Sequence, residues 1–239
     1  MGERYSYENY FSAADYFRMT GKFIDKLAPL GTSYHYERGD FVHEIAVGDL
    51  AVVTEGSFNQ RLFSLSGKDL ILYRLARGTI LGEDVMFVRK KSTLYTQALE
   101  YSSLSVVPEA QVRALLAEDN SLYEAVIHSL IRKMNIILFA LSDICFNNAE
   151  GSIASFIIRQ TYIFQEQLSH EGSLSIPGRF THQEIASRLS LNRVTVSKVL
   201  KRFCQEGLLE IKGGYIRVLD LAGLQEYIDP VGVERKMEN

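Results

Sequence analysis

Residues 122–146 form a run of 25 that holds neither proline nor glycine, and Val126, Leu130, Met134, Ile137 (or Leu138) and Leu141 recur along it every three or four positions. That spacing lines one face of a helix with apolar side chains. At 1.5 Å per residue such a helix is about 37 Å long, more than a small domain needs to cover its core. It is expected to pack against a twin helix or to bridge two domains, with burial inside one domain as the alternative. Arg132, Lys133 and Asp143 interrupt its apolar character and leave residues 134–142 as the uncharged stretch. A membrane span needs about 20 apolar residues, so no transmembrane segment is expected.

The texture differs on the two sides of this run. Residues 31–107 are punctuated by Gly39, Gly48, Gly56, Gly67, Gly78 and Gly82, with stretches rich in β-branched and aromatic residues at 50–54, 61–65 and 70–75. Short strands at intervals of roughly 8–12 residues indicate a sandwich or barrel, and Ser66-Gly67-Lys68 reads as a hairpin turn. No long amphipathic helix lies between these stretches, which argues against a mixed α/β domain. After Pro108 helices take over, at 109–117, 122–146 and 152–168. Asn147-Asn148-Ala149-Glu150-Gly151 marks a hinge or domain boundary, and 170–178 is a polar loop with Gly172, Pro177 and Gly178.

Composition sets wider bounds. A chain of 239 residues makes one large domain or two small ones, and 46% hydrophobic residues excludes wholesale disorder. Cys145 and Cys204 are too few for a disulfide framework or a structural zinc site, so a reducing cytoplasmic compartment is the default. The first 20 residues mix tyrosines with Glu3, Arg4, Glu8, Asp15 and Arg18 and lack the apolar core of a signal peptide. Met1, Gly2 and Ser6 formally fit a myristoylation pattern, but the pattern is loose and lipidation is not expected.

Thr181-His182-Gln183-Glu184 is a capping box, in which threonine and glutamate satisfy each other's backbone amides. The helix it opens has Ile185, Ala186 and Leu189 on its apolar face and stops near Ser190. Asn192 then caps a second helix with Val196, Val199, Leu200 and Phe203 inward and Arg193, Val194, Ser197 and Lys198 outward. Two short helices joined by a tight turn make a helix-turn-helix. Downstream, residues 208–211 and 215–218 flank Gly213-Gly214, the two-residue turn of a small hairpin and the wing of a winged helix. The formal net charge is −3, yet residues 178–218 carry eight cations against three anions. This module is therefore about five positive on a body about eight negative, the electrostatic footprint of a DNA reader.

Residues 181–203, T-H-Q-E-I-A-S-R-L-S-L-N-R-V-T-V-S-K-V-L-K-R-F, with E-G-L-L at 206–209, resemble the DNA-binding module of the superfamily of the cyclic-AMP receptor protein and the fumarate–nitrate reductase regulator. Gly78-Thr79-Ile80-Leu81-Gly82-Glu83, followed by Ser92-Thr93 and Ala98, resembles the phosphate-binding cassette of its cyclic-nucleotide-type β-roll. Phe146 and the Asn-Ala-Glu-Gly stretch fall where that family joins its dimerisation helix to its DNA-binding domain, and the likeness covers residues 23–221. The resemblance implies an α+β chain: an N-terminal segment and β-roll effector domain at 1–108, a connecting and dimerisation helix at 109–147, and a winged helix at 148–239. It also implies a homodimer on a palindromic operator in double-stranded DNA, with RNA polymerase as a further partner. Val126, Leu130, Met134, Ile137 and Leu141 would form the dimer stripe. Thr181, His182, Gln183, Asn192, Arg193, Val194, Thr195, Ser197, Lys198 and Lys201 would face DNA.

Departures from the family pattern limit what carries over. Nucleotide-binding members present an Arg-Ser pair to the cyclic phosphate, where this chain has Ser92-Thr93 after Lys91, and serine cannot replace a two-pronged guanidinium. The positions that hydrogen-bond the purine are Ile137 and Leu138, so cyclic AMP is not expected to bind. Two cysteines cannot hold an iron–sulfur cluster. His35, His43 and His128 have no spacing that singles out a haem ligand, so haem is not expected either. A small organic effector remains, and the V-T-V-S stretch resembles superfamily members that sense halogenated phenols. Tyr73, Arg74, Gly82, Glu83, Ser92, Thr93, Tyr95 and Asn135 are its candidate lining, with absence of any effector as the alternative. Among the DNA-facing residues, Val194 stands where many members have glutamate, Lys198 where they have a second arginine, and Ser190 where the turn has glycine. Arg193 would read guanine, while Thr195 and Ser197 would donate to phosphates. The rival reading is a metal-dependent enzyme of jelly-roll type, for which His35, His43 and Glu44 are the nearest ligand set.

Overall fold

The computed structural model describes residues 7, 10–163, 176 and 178–229. Contacts divide the chain into two compact units, Ala14–Ile136, and Met1–Ala13 together with Ile137–Asn239. The first unit opens with α1 (Ala13–Lys22), a π-helical turn (Phe23–Leu27) and a 3-10 turn (Ala28–Leu30). Two antiparallel sheets follow. One has the order β1 (Thr32–Tyr36), β7 (Ser102–Val107), β2 (Leu50–Glu55), β5 (Ile80–Leu81), and the other β4 (Asp69–Ala76), β3 (Ser57–Phe63), β6 (Tyr95–Ala98). Side chains alternate along a strand, and β2 is buried on both sides. Ala51 and Val53 point between the sheets with Phe58, Leu75 and Leu104. Leu50 and Val52 point the other way, against Phe23, Leu27 and Val107. This is the expected β-roll.

The strand expected at 61–65 lies instead at Ser57–Phe63. Gly56 turns the chain at φ +67°, and the four residues from Ser57 to Gln60 are buried. Residues 64–68 make the hairpin turn, closed by the Ser64 amide on the Lys68 carbonyl at 2.9 Å. Leu65, at the tip, is fully in water. Between β5 and β6 runs α2 (Glu83–Val88), which starts at Gly82 with φ +96°.

After α3 (Glu109–Glu118), α4 (Asn120–Phe146) is 27 residues long, about 40 Å. Its first turns bury Leu122, Ala125 and Val126 against the β-roll. Val126, expected on the dimer stripe, is therefore a core residue. The exposed apolar series is Tyr123, Ile127, Leu130, Met134, Ile137, Leu141 and Ile144, spaced alternately four and three apart. By length and composition alone α4 is apolar enough to cross a membrane, which the sequence reading did not expect. Glu124 is exposed, but the other three charges are held by protein. Arg132 sits 4.4 Å from the Tyr16 ring, Lys133 donates to Glu83, and Asp143 accepts from Arg159 at 2.7 Å. Burial lifts the Asp143 carboxyl above its usual range, against the pull of Arg159.

In the second unit α5 (Ala149–Ile163) begins three residues earlier than expected, because the Asn148 side chain accepts from the Gly151 amide at 2.9 Å. The helical break shrinks to Asn147 and Asn148. The contact boundary inside α4 differs from the expected boundaries at 108 and 147, and Tyr7, Tyr10 and Phe11 join the second unit by packing on Phe139. Residues 164–168, most of the 170–178 loop including Gly172 and Pro177, and the Met1, Gly2 and Ser6 pattern lie outside the described residues. Ile153, Phe156 and Ile157 of α5 share one core with α6 (His182–Leu189) and α7 (Arg193–Gln205), with the β8 (Leu209–Lys212) and β9 (Tyr215–Val218) hairpin, and with α8 (Leu221–Gln225).

A heptad series left in water predicts self-association. Replacing both Met134 and Ile137 by glutamate should weaken it roughly a hundredfold in sedimentation experiments, since each buried charge at such a seam is costly. The circular dichroism spectrum should not change, because both side chains are exposed within the chain.

Candidate functional site

The helix-turn-helix is built by two caps. Thr181 accepts from the Glu184 amide at 3.1 Å and the Thr181 amide donates to the Glu184 carboxylate at 2.8 Å, completing the capping box. Ser190 ends α6 with φ +53°, a left-handed conformation that favours glycine. Asn192 then caps α7 by accepting from the Thr195 amide at 2.8 Å. These caps change the role of three expected contacts. The Thr195 hydroxyl, expected to donate to a phosphate, here donates to Asn192 Oδ1, and the Thr181 hydroxyl donates to Glu184, both at 3.0 Å. Thr181, Asn192 and Thr195 thus shape the turn.

Val196, Leu200 and Phe203 are buried, and Val199 nearly so. Arg193, Val194, Lys198 and Lys201 stand exposed on the opposite face of α7, with Ser197 half-buried beside them. Among the described residues Arg193, Lys198 and Lys201 form no ion pair. A cleft lined by Phe180, Thr181, His182, Gln183, Arg193 and Gly214 brings the guanine-reading candidate between the start of α6 and the wing. The other cations of the module are engaged. Arg188 is buried with its guanidinium 5.8 Å from the Phe180 ring, Arg202 bonds Glu150 and Glu206, and Glu210 draws in Lys212 and Arg217. The charge surplus read from sequence is thus concentrated on one helix face. The expected list missed Arg179 and Tyr215, where the guanidinium covers an exposed ring at 5.3 Å on the wing. Tyr215 directly follows Gly213-Gly214, whereas Arg179 lies more than 30 positions upstream and only folding brings it to the ring.

The expected effector lining does not come together. Tyr73 lies opposite Gln60, and Gln60 opposite Thr96, on the face of the β4-β3-β6 sheet that meets the core. Arg74 and Tyr95, one residue along their strands, point to the other face. There Tyr95 packs on Phe41 and Phe63 at 6.4 and 5.2 Å. Ser92 and Thr93 are exposed, and Ser92 donates to Asp84 at 3.1 Å. What remains near Gly82 is a buried ion pair. The Lys133 ammonium on α4 donates to Glu83 and to the Ile80 carbonyl, the latter at 2.8 Å, and lies 5.8 Å from the Tyr73 ring. Burial, with the negative charges of Glu83 and Asp84, pushes the Tyr73 phenol above its usual range. Glu83 Oε2 is buried without a hydrogen-bond partner. Asn135 is half-buried on the same helix. Sequence reasoning placed Glu83 here but missed Lys133, 50 positions away.

The metal-site alternative has no geometric support. His35 bonds the Tyr101 hydroxyl at 3.2 Å and Glu44 accepts from Tyr36 at 2.6 Å, and no group of three potential ligands is found among the described residues. His43 and His128 are exposed. Cys145 is exposed on α4 and Cys204 half-buried on α7.

Removing one partner of a buried ion pair strands the other charge. Lys133→Ala is therefore expected to destabilise the β-roll by about 3–5 kcal/mol in urea unfolding, and a loss below about 1 kcal/mol would show the pair to be solvated.

Compared with known families, residues 152–227 match the Crp-like helix-turn-helix domain. The transcriptional regulatory protein btr of Bordetella pertussis is 29% identical over 196 residues, covering 80% of this chain and 79% of the relative. A CRP-like cAMP-activated global transcriptional regulator of Mycobacterium tuberculosis is 25% identical, over 71% of this chain and 80% of its own. In fold, the structure of FixK2 from Bradyrhizobium japonicum is similar with a TM-score of 0.69 at 15% identity, covering 84% of this chain and 99% of that one.

Proposed function

We propose that the chain is a DNA-binding transcription regulator of the superfamily of the cyclic-AMP receptor protein and the fumarate–nitrate reductase regulator, and that it reads a palindromic operator as a homodimer. The observation that carries this reading is the outward face of α7, where Arg193, Lys198 and Lys201 are exposed and unneutralised among the described residues. Two chains pair through the series from Tyr123 to Ile144, and each α7 enters the major groove of one half-site. The half-site centres lie one helical turn apart, roughly 34 Å.

Arg193 takes guanine O6 and N7 with two hydrogen bonds. Val194 meets a thymine methyl, because an isopropyl group accepts no hydrogen bond from cytosine. Lys198 and Lys201 neutralise phosphates, Ser197 donates to one, and His182 and Gln183 approach the backbone from the start of α6. On the wing, the exposed Tyr215 follows the adjacent strand.

The sensor is proposed to take a small organic molecule rather than cyclic AMP. Two features support this. Ser92 stands where the cassette's arginine would be, and Lys133 is already committed to Glu83 and the Ile80 carbonyl. The candidate contacts narrow to Tyr73, Glu83 and Asn135 on the core-facing side. Haem and iron–sulfur chemistry are not proposed, since the histidines and cysteines are scattered. A bound effector would act by favouring one of two arrangements of the dimer, which then recruits or blocks RNA polymerase in the cytoplasm.

Selection of bound DNA fragments with and without cell extract tests operator and effector together. Arg193→Ala should cost about 1–3 kcal/mol on the selected operator, roughly ten- to hundredfold, and abolish discrimination at the guanine it reads, with the dimer intact. Retained discrimination would overturn the assignment of Arg193. Titration calorimetry with cyclic AMP should give no binding signal at micromolar protein, and submicromolar affinity would overturn the reading of the sensor.

A further inference from the structure

The short break between α4 and α5 is bridged by the beginning of the chain. The Tyr7 hydroxyl is hydrogen-bonded to the Ser155 hydroxyl on α5 at 2.6 Å, 148 positions away. The Tyr7 ring meets Phe139 of α4 edge-on at 5.1 Å and lies 6.2 Å from Tyr162 of α5. Tyr10 and Phe11 close on the same Phe139 ring at 5.3 and 5.9 Å. Their backbone amides both donate to the Tyr7 carbonyl at 3.0 Å, a turn that holds the three rings together. Phe11 and Phe139 are almost wholly buried. Tyr7 thus grips both arms of the corner, with an apolar contact on α4 and a hydrogen bond on α5.

The corner is otherwise held from within. Arg159 donates to Asp143 at 2.7 Å, the Ser152 hydroxyl to the Asp143 carbonyl at 3.0 Å, and the Asp229 amide to Asn147 at 2.8 Å. Helix α5 is also the floor of the helix-turn-helix, since Ile153, Phe156 and Ile157 share their core with Val196, Leu200 and Phe203. Any swing of α5 about Asn147 and Asn148 carries α7 with it. In a dimer that reads two half-sites, the stiffness of this corner decides which half-site separations both recognition helices reach without strain.

We infer that Tyr7 is a positioning residue for DNA recognition: it clamps the α4–α5 corner and so restricts the dimer to one half-site spacing, without touching DNA. This rests on the dimeric DNA-reading proposed above. The ring contributes the packing on Phe139 and the hydroxyl the bond to Ser155, so the two parts are separable by substitution.

The test uses full-length protein and the selected operator, rebuilt with one base pair added or removed between half-sites. Fluorescence anisotropy should show wild-type affinity falling about tenfold for each change, because spacing is geometrically fixed. In Tyr7→Ala that penalty should shrink to about threefold or less, with single half-site affinity and dimer mass unchanged, and amide exchange at residues 147–155 should rise roughly tenfold. Tyr7→Phe, which keeps the ring on Phe139, should retain most of the penalty. Phe139→Leu should relax it in the same way as Tyr7→Ala, so the result does not hang on one variant folding. A wild-type spacing penalty together with wild-type exchange in Tyr7→Ala would overturn the inference. So would equal loss on every operator, single half-sites included, which marks a purely structural role. If wild type selects no operator, the dimeric reading fails while exchange at the corner still decides whether Tyr7 clamps it.

Discussion

Helix α4 carries an apolar series from Tyr123 to Ile144 that its own chain leaves in water. A spacing of three and four matches a second helix wound around it in a left-handed sense, because 3.5 residues per turn keeps the series facing one partner. The same helix turns Leu122, Ala125 and Val126 into the β-roll core and Phe139 toward the N-terminal rings. One element therefore enters two separate cores and leaves a third face apolar and exposed. Three of its charged residues, Arg132, Lys133 and Asp143, each meet a group on the protein, while Glu124 stands exposed.

Most of the architecture was legible because it is written locally. Turn glycines mark the β-roll, and Thr181, Glu184 and Asn192 announce two helix starts within four residues of each contact they make. What sequence could not supply depends on distant partners. Val126 and Ile127 are neighbours of equal hydrophobicity, and only the packing of the β-roll decides that the first is buried and the second exposed. The bulge between Gln60 and Arg61 shifts the β3–β4 register, and the pairing then sends Tyr73 to one side and Arg74 to the other. Glu83 with Lys133 and Tyr7 with Ser155 are contacts across the chain, with no periodic signal to betray them. The hinge was read too long because Ala149 and Glu150 are good helix formers once Asn148 caps them.

The sensor half departs from a nucleotide site in a specific physical way. Ser92 stands where an arginine would present a fork to a phosphate, and beside Gly82 an ammonium from α4 is balanced by a buried carboxylate with one oxygen unpaired. That arrangement links the cassette to α4 without a ligand. A buried, paired charge resists displacement, since stranding either member is expensive, so any effector must fit around the pair rather than through it.

On the DNA-facing side, the protons of two threonine hydroxyls are already spent inside the turn. In the proposed complex, attraction to the double helix is left mainly to the three exposed cations on α7. Point charges on flexible stems draw their strength from the release of counterions condensed on DNA, and that release loses its value as salt accumulates. The protein's hold on a promoter is then set as much by the ionic strength around it as by the bases in front of it.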